Sequence, residues 1–157
     1  EKNVPLLILT ADCVPVVLVD KVNKAVGLVH AGWRGTYGKI CSETLQSMKE
    51  NYNTNPEDVV AIIGPSIGKC CYEVSYDLVE KFSALLPNAD EKIYEIRDEK
   101  YYLDLWEINT QILKEFGVLK SNIINMNICT SCNCNRFFSY RKHDKTPKRI
   151  GTFIEIK

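Results

Sequence analysis

Two short apolar runs, each followed at once by chemically reactive side chains, constrain the fold of this chain more than any other feature. The first run, residues 6–9, leads to Cys13, and the second, residues 25–29, leads to His30. Short apolar runs bounded by polar or glycine-rich turns are typical of buried β-strands. Open α/β sheets usually bind their ligands where strands end. The sequence therefore predicts neighbouring strands that bring a thiol and an imidazole to one site.

The segment after His30 predicts a binding site for an anion. It turns through three glycines, Gly32, Gly35 and Gly38, into a helix predicted for residues 36–51. Such a turn directs backbone N–H groups and the positive end of a helix dipole at a ligand. Arg34 lies within the turn and could bind phosphate or carboxylate through two N–H groups. The alternative is a surface arginine that covers Trp33.

The remaining pattern alternates strands with helices. Apolar runs predict strands at residues 16–19, 59–63, 101–105, 123–128 and 151–156, and helical spacing predicts helices at residues 75–86 and around Ile108, Ile112 and Phe116. This order predicts an α/β or α+β layered fold. A length of 157 residues predicts one domain, residues 1–157, with its own core.

Charge and cysteine content limit the classes of function. The 20 basic and 20 acidic residues cancel, so we expect no nucleic-acid or membrane partner. No apolar run is long enough to span a bilayer, and no basic segment followed by an apolar run opens the sequence, so we expect no secretory signal. Seven cysteines, an odd number, predict free thiols in a reducing, cytoplasmic protein.

Cys13 and His30 are the candidate metal ligands. Thiolate and imidazole bind zinc or copper, and a catalytic zinc site uses three protein ligands and leaves one position open. The alternatives are a buried cysteine beside a capped histidine, and a metal-free hydrolase in which Cys13 is the nucleophile and His30 the base. Asp12 is predicted to lie inside an otherwise apolar strand, where a carboxylate is costly unless it is paired or takes part in function.

The other cysteines are assigned structural roles by the same reasoning. Cys129, Cys132 and Cys134 suggest a zinc knuckle, but no second pair of ligands follows at a suitable spacing, and a structural zinc site needs four. We therefore expect no structural zinc. Cys70 and Cys71 are predicted to be buried packing residues.

The C-terminal tail is locally basic and aromatic. Its basic residues are Arg136, Arg141, Lys142, Lys145, Lys148 and Arg149, and they are interleaved with Phe137, Phe138 and Tyr140. The tail could line a pocket for an anionic or aromatic substrate, or it could be a solvated face.

Four segments together, residues 10–15, 29–36, 63–74 and 137–141, resemble the YfiH-like family. Its members are called polyphenol oxidases, laccase-domain proteins or purine nucleoside phosphorylases. The resemblance implies a layered αβ sandwich with a mixed sheet, and a metal, usually zinc, held by one cysteine and two histidines. It also implies phosphorolysis of adenosine, inosine and methylthioadenosine, with phosphate as co-substrate, and adenosine deamination.

The resemblance also assigns roles to residues. Cys13 and His30 match family metal ligands, and Cys13, His30 and Arg34 are predicted to be catalytic. Asp12, Arg34 and Arg141 are predicted to bind substrate. A copper-dependent polyphenol oxidase is the alternative, although multicopper oxidases need many histidines and this chain has two.

Two departures from the family pattern bear on activity. The other histidine ligand of the family lies before the strand with which this chain begins, so we expect either a fragment of a longer protein or a protein that has lost a ligand. With two ligands, the site is expected to bind zinc weakly. In the tail, Thr146, Pro147 and Lys148 stand where the family usually has Thr-Gly-Arg.

Overall fold

A computed structural model of the chain describes residues 2–89 and 92–157. Within these ranges the chain forms nine β-strands and four α-helices. In chain order they are β1 (Leu6–Thr10), β2 (Val14–Asp20), β3 (Ala25–Ala31), α1 (Trp33–Tyr37), α2 (Ile40–Tyr52), β4 (Val59–Ile63), β5 (Glu73–Val74), α3 (Tyr76–Leu85), β6 (Tyr94–Arg97), β7 (Lys100–Leu103), α4 (Leu105–Phe116), β8 (Ile123–Asn125) and β9 (Ile150–Ile154).

A mixed four-stranded sheet lies at the centre of the fold, with the order β3-β2-β4-β8. Strand β2 is antiparallel to both β3 and β4, and β8 runs parallel to β4. This arrangement confirms the predicted α/β class and its mixed sheet. Two smaller antiparallel sheets accompany it: β1-β9 has two strands, and β5-β7-β6 has three.

One face of the central sheet forms the core. Alternate residues of β2, Val14, Val16 and Leu18, are fully buried, as the period of two in a strand requires. They belong to one cluster with the buried faces of α2 and α4, which include Leu45 and Ile112. Burying each such side chain contributes about 1.5–3 kcal/mol, so this packing fixes the strands that lead to the site.

The predicted helix at residues 36–51 is wrong in one respect, because the structure divides it. Helix α1 ends at Tyr37, and α2 begins at Ile40. Between them Lys39 has a left-handed backbone, with φ of 51°. A non-glycine residue in that conformation interrupts a right-handed helix. Helix α1 is therefore only five residues long.

Other predicted boundaries also change. Strand β1 does not lie in the sheet that contains β3, since it pairs with β9 instead. Strand β7 ends at Leu103 because Asp104 is the N-cap of α4, where its carboxylate accepts a 3.0 Å hydrogen bond from the Glu107 N–H. Strand β8 stops at Asn125, short of the predicted end at residue 128. Among the described residues, no helix has the length and apolar character to cross a bilayer.

Candidate active site

Asp12 connects the start of the chain to its C-terminal segment. It does not lie inside a strand, as the sequence suggested, but in a bend between β1 and β2 with a positive φ of 78°. The residue is 9% exposed, and its carboxylate accepts hydrogen bonds from the Thr130 hydroxyl (2.7 Å), the Ser139 hydroxyl (3.1 Å) and the Arg141 backbone N–H (2.7 Å). Asp12 is thus paired, and direct substrate binding by Asp12 stays a prediction.

Cys13 and His30 lie at the same end of one antiparallel strand pair, since Cys13 directly precedes β2 and His30 is near the end of β3. Strand β2 pairs with β3 so that Pro15 faces His30 and Val14 faces Ala31. Continued by one residue, this register sets Cys13 beside Gly32, and a Cβ on Gly32 would lie 2.9 Å from the Cys13 Sγ. Since side chains alternate between faces, Cys13 and His30 project from the same face of the pair. Their joint binding of a metal stays a prediction.

The electrostatic surroundings of Cys13 favour the protonated thiol. Burial raises the pKa of Cys13, the nearby Asp12 carboxylate raises it further, and Arg149 partly lowers it. A reactive cysteine nucleophile instead has a lowered pKa. The hypothesis of a metal-free hydrolase is therefore poorly supported by these surroundings.

A cleft of about 260 Å³ opens beside Cys13. Its walls include Asp12, Cys13, Trp33, Tyr72, Tyr140 and Arg141. The structure thus brings Asp12, Cys13 and Arg141, three of the predicted site residues, to one cavity. His30 and Arg34 are exposed and do not line it.

Tyr72 and Arg141 form one wall of this cleft, and the sequence analysis did not identify Tyr72. The Arg141 guanidinium lies 5.5 Å from the centre of the Tyr72 ring and donates a 3.0 Å hydrogen bond to the Glu73 carbonyl. Burial raises the pKa of Tyr72 to about 12, although the charges of Arg141 and Arg34 act to lower it. Both guanidinium groups therefore act on the same wall of the cleft.

Arg34 is a surface arginine that covers Trp33, as the alternative to the anion-binding interpretation predicted. Its guanidinium stacks 4.3 Å from the centre of the Trp33 ring, and its side chain is exposed. Helix α1 is too short for its dipole to make an anion site by itself. Arg34 therefore contributes to the cleft through Trp33 and through its charge.

The basic tail is divided between the two predicted roles. Tyr140 and Arg141 line the cleft. The other basic residues of the tail, Arg136, Lys142, Lys145, Lys148 and Arg149, are exposed. His143 accepts a 3.1 Å hydrogen bond at Nδ1 from the Ser139 N–H, which shapes the loop that carries Arg141.

Four cysteines form a cluster outside the cleft, and here the prediction that Cys70 and Cys71 are buried packing residues was wrong. The Sγ atoms of Cys70, Cys71, Cys129 and Cys132 all lie within 4.8 Å of one another, a group that could hold a metal ion. Cys70 is exposed and Cys71 half-buried, so neither is a buried packing residue. The second ligand pair that a zinc site requires exists, but it comes from a distant part of the chain.

The thiols of this cluster influence one another. Burial would raise the pKa of Cys129, but hydrogen bonds from the backbone N–H groups of Gly68 and Cys132, and from the Cys70 and Cys132 thiols, hold it below the usual value. Burial, together with the Cys132 and Cys129 thiols, raises the pKa of Cys70 strongly. These hydrogen bonds therefore favour the thiolate form of Cys129.

Comparison with known proteins identifies the family. The family model described as "Multi-copper polyphenol oxidoreductase laccase" matches residues 1–157. The chain belongs to the laccase-domain family. This result confirms the resemblance to YfiH-like proteins.

Relatives and a solved structure agree with the assignment of this laccase-domain chain. The chain is 37% identical to purine nucleoside phosphorylase YlmD of Bacillus subtilis over 157 residues, covering 100% of the chain and 56% of YlmD. It is 41% identical to a purine nucleoside phosphorylase of Bacteroides thetaiotaomicron, covering 99% of the chain and 58% of the relative. The chain thus spans a little more than half the length of these curated relatives.

The fold matches a crystal structure of the hypothetical protein YfiH from Bacillus licheniformis. The TM-score is 0.93 at 36% identity, and the match covers 100% of the laccase-domain chain and 59% of YfiH. The layered mixed fold is therefore that of its family.

Proposed function

We propose that this laccase-domain chain is part of a purine nucleoside phosphorylase acting on adenosine, inosine and methylthioadenosine, with phosphate as co-substrate. The observation that carries the proposal is the cleft in which Cys13, two aromatic walls and the Arg141 guanidinium meet. The names of the Bacillus subtilis and Bacteroides relatives, both purine nucleoside phosphorylases, support it. Residues 1–157 would act as one domain, and free thiols favour a reducing compartment, the cytoplasm.

The cleft offers separate chemistry for the base and for phosphate. Trp33 and Tyr72 present aromatic surface on which a purine can stack. In phosphorolysis a phosphate oxygen forms a bond to C1′ of the ribose, while the bond from C1′ to the base breaks and its electron pair leaves with the base. Arg141, with Arg34 nearby, supplies positive charge for the phosphate.

Asp12 acts as a positioning residue in this proposal. Its carboxylate holds the Arg141 backbone N–H at 2.7 Å, and the Arg141 side chain reaches the Glu73 carbonyl. These two contacts restrict the guanidinium to the rim of the cleft. A group whose position is set in advance loses less entropy when it binds an anion.

The residues of this chain supply only part of the metal site that the family resemblance implies. Cys13 and His30 would hold the metal, since they share a face and Gly32 leaves space for the Cys13 sulfur. No third ligand atom from cysteine, histidine, aspartate or glutamate gathers with them in the part of the chain that the structure describes. A zinc ion bound there would lower the pKa of a water molecule, the chemistry that the proposed adenosine deamination needs.

The deciding experiment measures phosphate dependence. The chain is incubated with inosine, adenosine or methylthioadenosine, with and without phosphate, and products are separated by chromatography and mass spectrometry. The same assay is run on a form that includes any sequence encoded before Glu1. We expect free base and ribose 1-phosphate (methylthioribose 1-phosphate from methylthioadenosine) in equal amounts and only when phosphate is present.

Other products would point elsewhere. Free ribose, or base release that ignores phosphate, would overturn phosphorolysis. Oxidation of a phenol on addition of copper, without base release, would favour the polyphenol oxidase. Conversion of adenosine to inosine without phosphate would support the deaminase activity and leave phosphorolysis to be judged on inosine.

A further inference from the structure

The four clustered cysteines come from two loops that flank the central sheet. Cys70 and Cys71 follow β4, and Cys129 and Cys132 follow β8, its parallel neighbour. Cys132 lies 3.4 Å from both Cys70 and Cys71, which are 62 and 61 residues away in sequence. Neither the cleft nor the candidate ligand pair Cys13 and His30 includes any of these four thiols.

Local hydrogen bonds shape both loops to present the sulfurs. In the first loop the N–H groups of Cys71 and Tyr72 both donate to the Gly68 carbonyl, at 2.9 and 3.0 Å. In the second, the Asn133 N–H donates to the Cys129 carbonyl at 3.0 Å, a turn that brings Cys132 back beside Cys129. Backbone geometry thus sets the thiol positions.

The sulfur spacing fits one tetrahedral ion. With zinc–sulfur bonds of about 2.3 Å, the sulfurs of a tetrahedral site lie about 3.8 Å apart. The observed separations, from 3.4 Å to at most 4.8 Å, bracket this distance. An iron–sulfur cluster distributes its thiolates over several irons and so needs them farther apart.

We propose that Cys70, Cys71, Cys129 and Cys132 bind one zinc ion as a structural site. This site would hold together two loops on which the cleft depends. The donor set, four thiolates, is one that structural zinc sites use. The Gly68 N–H donates to the Cys129 Sγ at 3.3 Å, the kind of contact that orients a metal-bound thiolate. The exposed Cys70 and Cys132 give the ion a path of entry.

The site would connect two elements on which the cleft depends. Tyr72, next to Cys71, forms a wall of the cleft, and Thr130, next to Cys129, donates to the Asp12 carboxylate. The loops already meet through Ser66, whose N–H donates to the Ile128 carbonyl and whose carbonyl accepts from the Thr130 N–H. An ion held by both loops would fix Tyr72 and Asp12 relative to each other.

A disulfide explains the geometry less well than a metal ion does. A disulfide joins two sulfurs at about 2.05 Å, and Cys132 lies equally far from two possible partners. One ion placed among the four sulfurs would contact all of them at once. This proposal also predicts firm zinc binding by the chain itself, contrary to the expectation based on Cys13 and His30 alone.

The test is a comparison of metal content among single cysteine variants. Wild type, Cys70→Ser, Cys132→Ser, Cys13→Ser and Cys134→Ser are purified under reducing conditions and analysed for zinc and iron. Cys70 and Cys132 are exposed, so their substitution leaves the core intact. Cys134 is the matched control, because it lies two residues from Cys132 but outside the cluster.

We expect about one zinc per chain in wild type, Cys13→Ser and Cys134→Ser, and at least a tenfold weaker zinc affinity in Cys70→Ser and Cys132→Ser. X-ray absorption of the Cys13→Ser protein should show sulfur ligands only, at about 2.3 Å. Chelation should lower the melting temperature of wild type and of Cys134→Ser, and change that of Cys132→Ser much less.

Several results would overturn the proposal. Zinc retained in both Cys70→Ser and Cys132→Ser, or lost in Cys13→Ser, would assign the metal to another site. Iron in place of zinc would reject the ion named here. A wild-type chain that binds no zinc and shows two or four fewer free thiols in the native, unreduced protein would assign the cluster to disulfide chemistry.

Discussion

The backbone N–H of Arg141 donates a 2.7 Å hydrogen bond to the Oδ2 atom of Asp12, across 129 residues of the chain. The same carboxylate accepts from Thr130 and Ser139, both fully buried. One side chain at the start of the fold thus sets the position of the loop that carries a cationic wall of the cleft. This relationship can be tested through stability as well as activity.

Substitution of Asp12 should destabilise the fold. Asp12→Ala leaves three donors without an acceptor, and each hydrogen bond to a charged group contributes about 1.5–3 kcal/mol. Allowing for relaxation, we expect the free energy of unfolding to fall by roughly 3–5 kcal/mol. Asp12→Asn, which keeps one acceptor oxygen and tolerates a positive φ, should lose about 1–3 kcal/mol. Denaturant titration measures both values.

The control for this experiment separates hydrogen bonding from backbone strain. Asp98 also has a positive φ, 47°, but it is exposed, so Asp98→Ala reports the strain alone. A loss in Asp98→Ala equal to that in Asp12→Ala would mean that the three hydrogen bonds contribute little. Such a result would contradict the role assigned to Asp12.

Gly32 should be required for the position of the Cys13 sulfur. A Cβ at residue 32 would lie 2.9 Å from the Cys13 Sγ, although the φ of Gly32, −68°, suits any residue. We therefore expect Gly32→Ala to displace the thiol, to cost about 1–3 kcal/mol through overpacking and to lower activity by more than the loss of folded protein explains. Circular dichroism and turnover measured on the same samples distinguish the two effects.

Gly38→Ala is the matched control for that variant. A Cβ at residue 38 would meet its nearest neighbour, the Arg34 carbonyl oxygen, at an ordinary 3.5 Å. Its stability and activity should stay near those of wild type. If Gly32→Ala behaves in the same way, the close approach between residues 13 and 32 has no functional importance.

The central sheet could be predicted from the sequence because its strands are apolar runs between clear turns. The short strand β6 could not be predicted. Two of its four residues, Ile96 and Arg97, are exposed, so its pattern of apolar and polar residues does not differ from that of a loop. The helix break at Lys39 was also hidden, because an apolar stripe continues across it.

Of the candidate site, the parts that lie within one short segment could be predicted and those formed between distant segments could not. Asp12, Cys13 and Arg34 follow from local pattern and from the family resemblance. The four-cysteine cluster combines residues 62 positions apart, and spacing within one segment cannot show such a pairing.

Asp20 should give the fold part of its dependence on pH. Burial would raise the pKa of this carboxyl, but hydrogen bonds from the N–H groups of Asn23 and Val22 and from the Asn23 side chain lower it below the ordinary 3.8. A lowered pKa in the folded state stabilises the protein above pH 3.8, and this contribution is lost as the pH falls through the folded value. We expect the free energy of unfolding to fall as the pH decreases below about 3.8.

The variant Asp20→Asn isolates this contribution. It should lose about 1–2 kcal/mol at neutral pH and show a shallower fall in stability toward low pH than wild type. Asp58→Asn, at an exposed position, should retain the wild-type slope. Equal slopes for wild type and Asp20→Asn would show that other carboxyl groups dominate acid unfolding.

Arg34 provides a test of the proposed phosphate chemistry. Its guanidinium lies 4.3 Å from the centre of the ring of Trp33, which lines the cleft, and we expect its charge to act on a bound anion. Loss of a charge-assisted contact costs about 1.5–3 kcal/mol, so Arg34→Ala should reduce phosphorolysis roughly ten- to a hundredfold. Arg34→Lys should restore part of the rate, since it keeps the charge but not the two-pronged geometry.

Comparison of two reactions decides how Arg34 acts. Adenosine deamination consumes water and not phosphate, so it should decline much less than phosphorolysis in Arg34→Ala. Arg136→Ala, which removes an exposed positive charge from the C-terminal tail, is the control and should leave both rates unchanged. If both reactions decline equally in Arg34→Ala, Arg34 serves to hold Trp33 or the nucleoside. If neither declines, the phosphate is bound without Arg34, and Arg141 becomes the cation to substitute next.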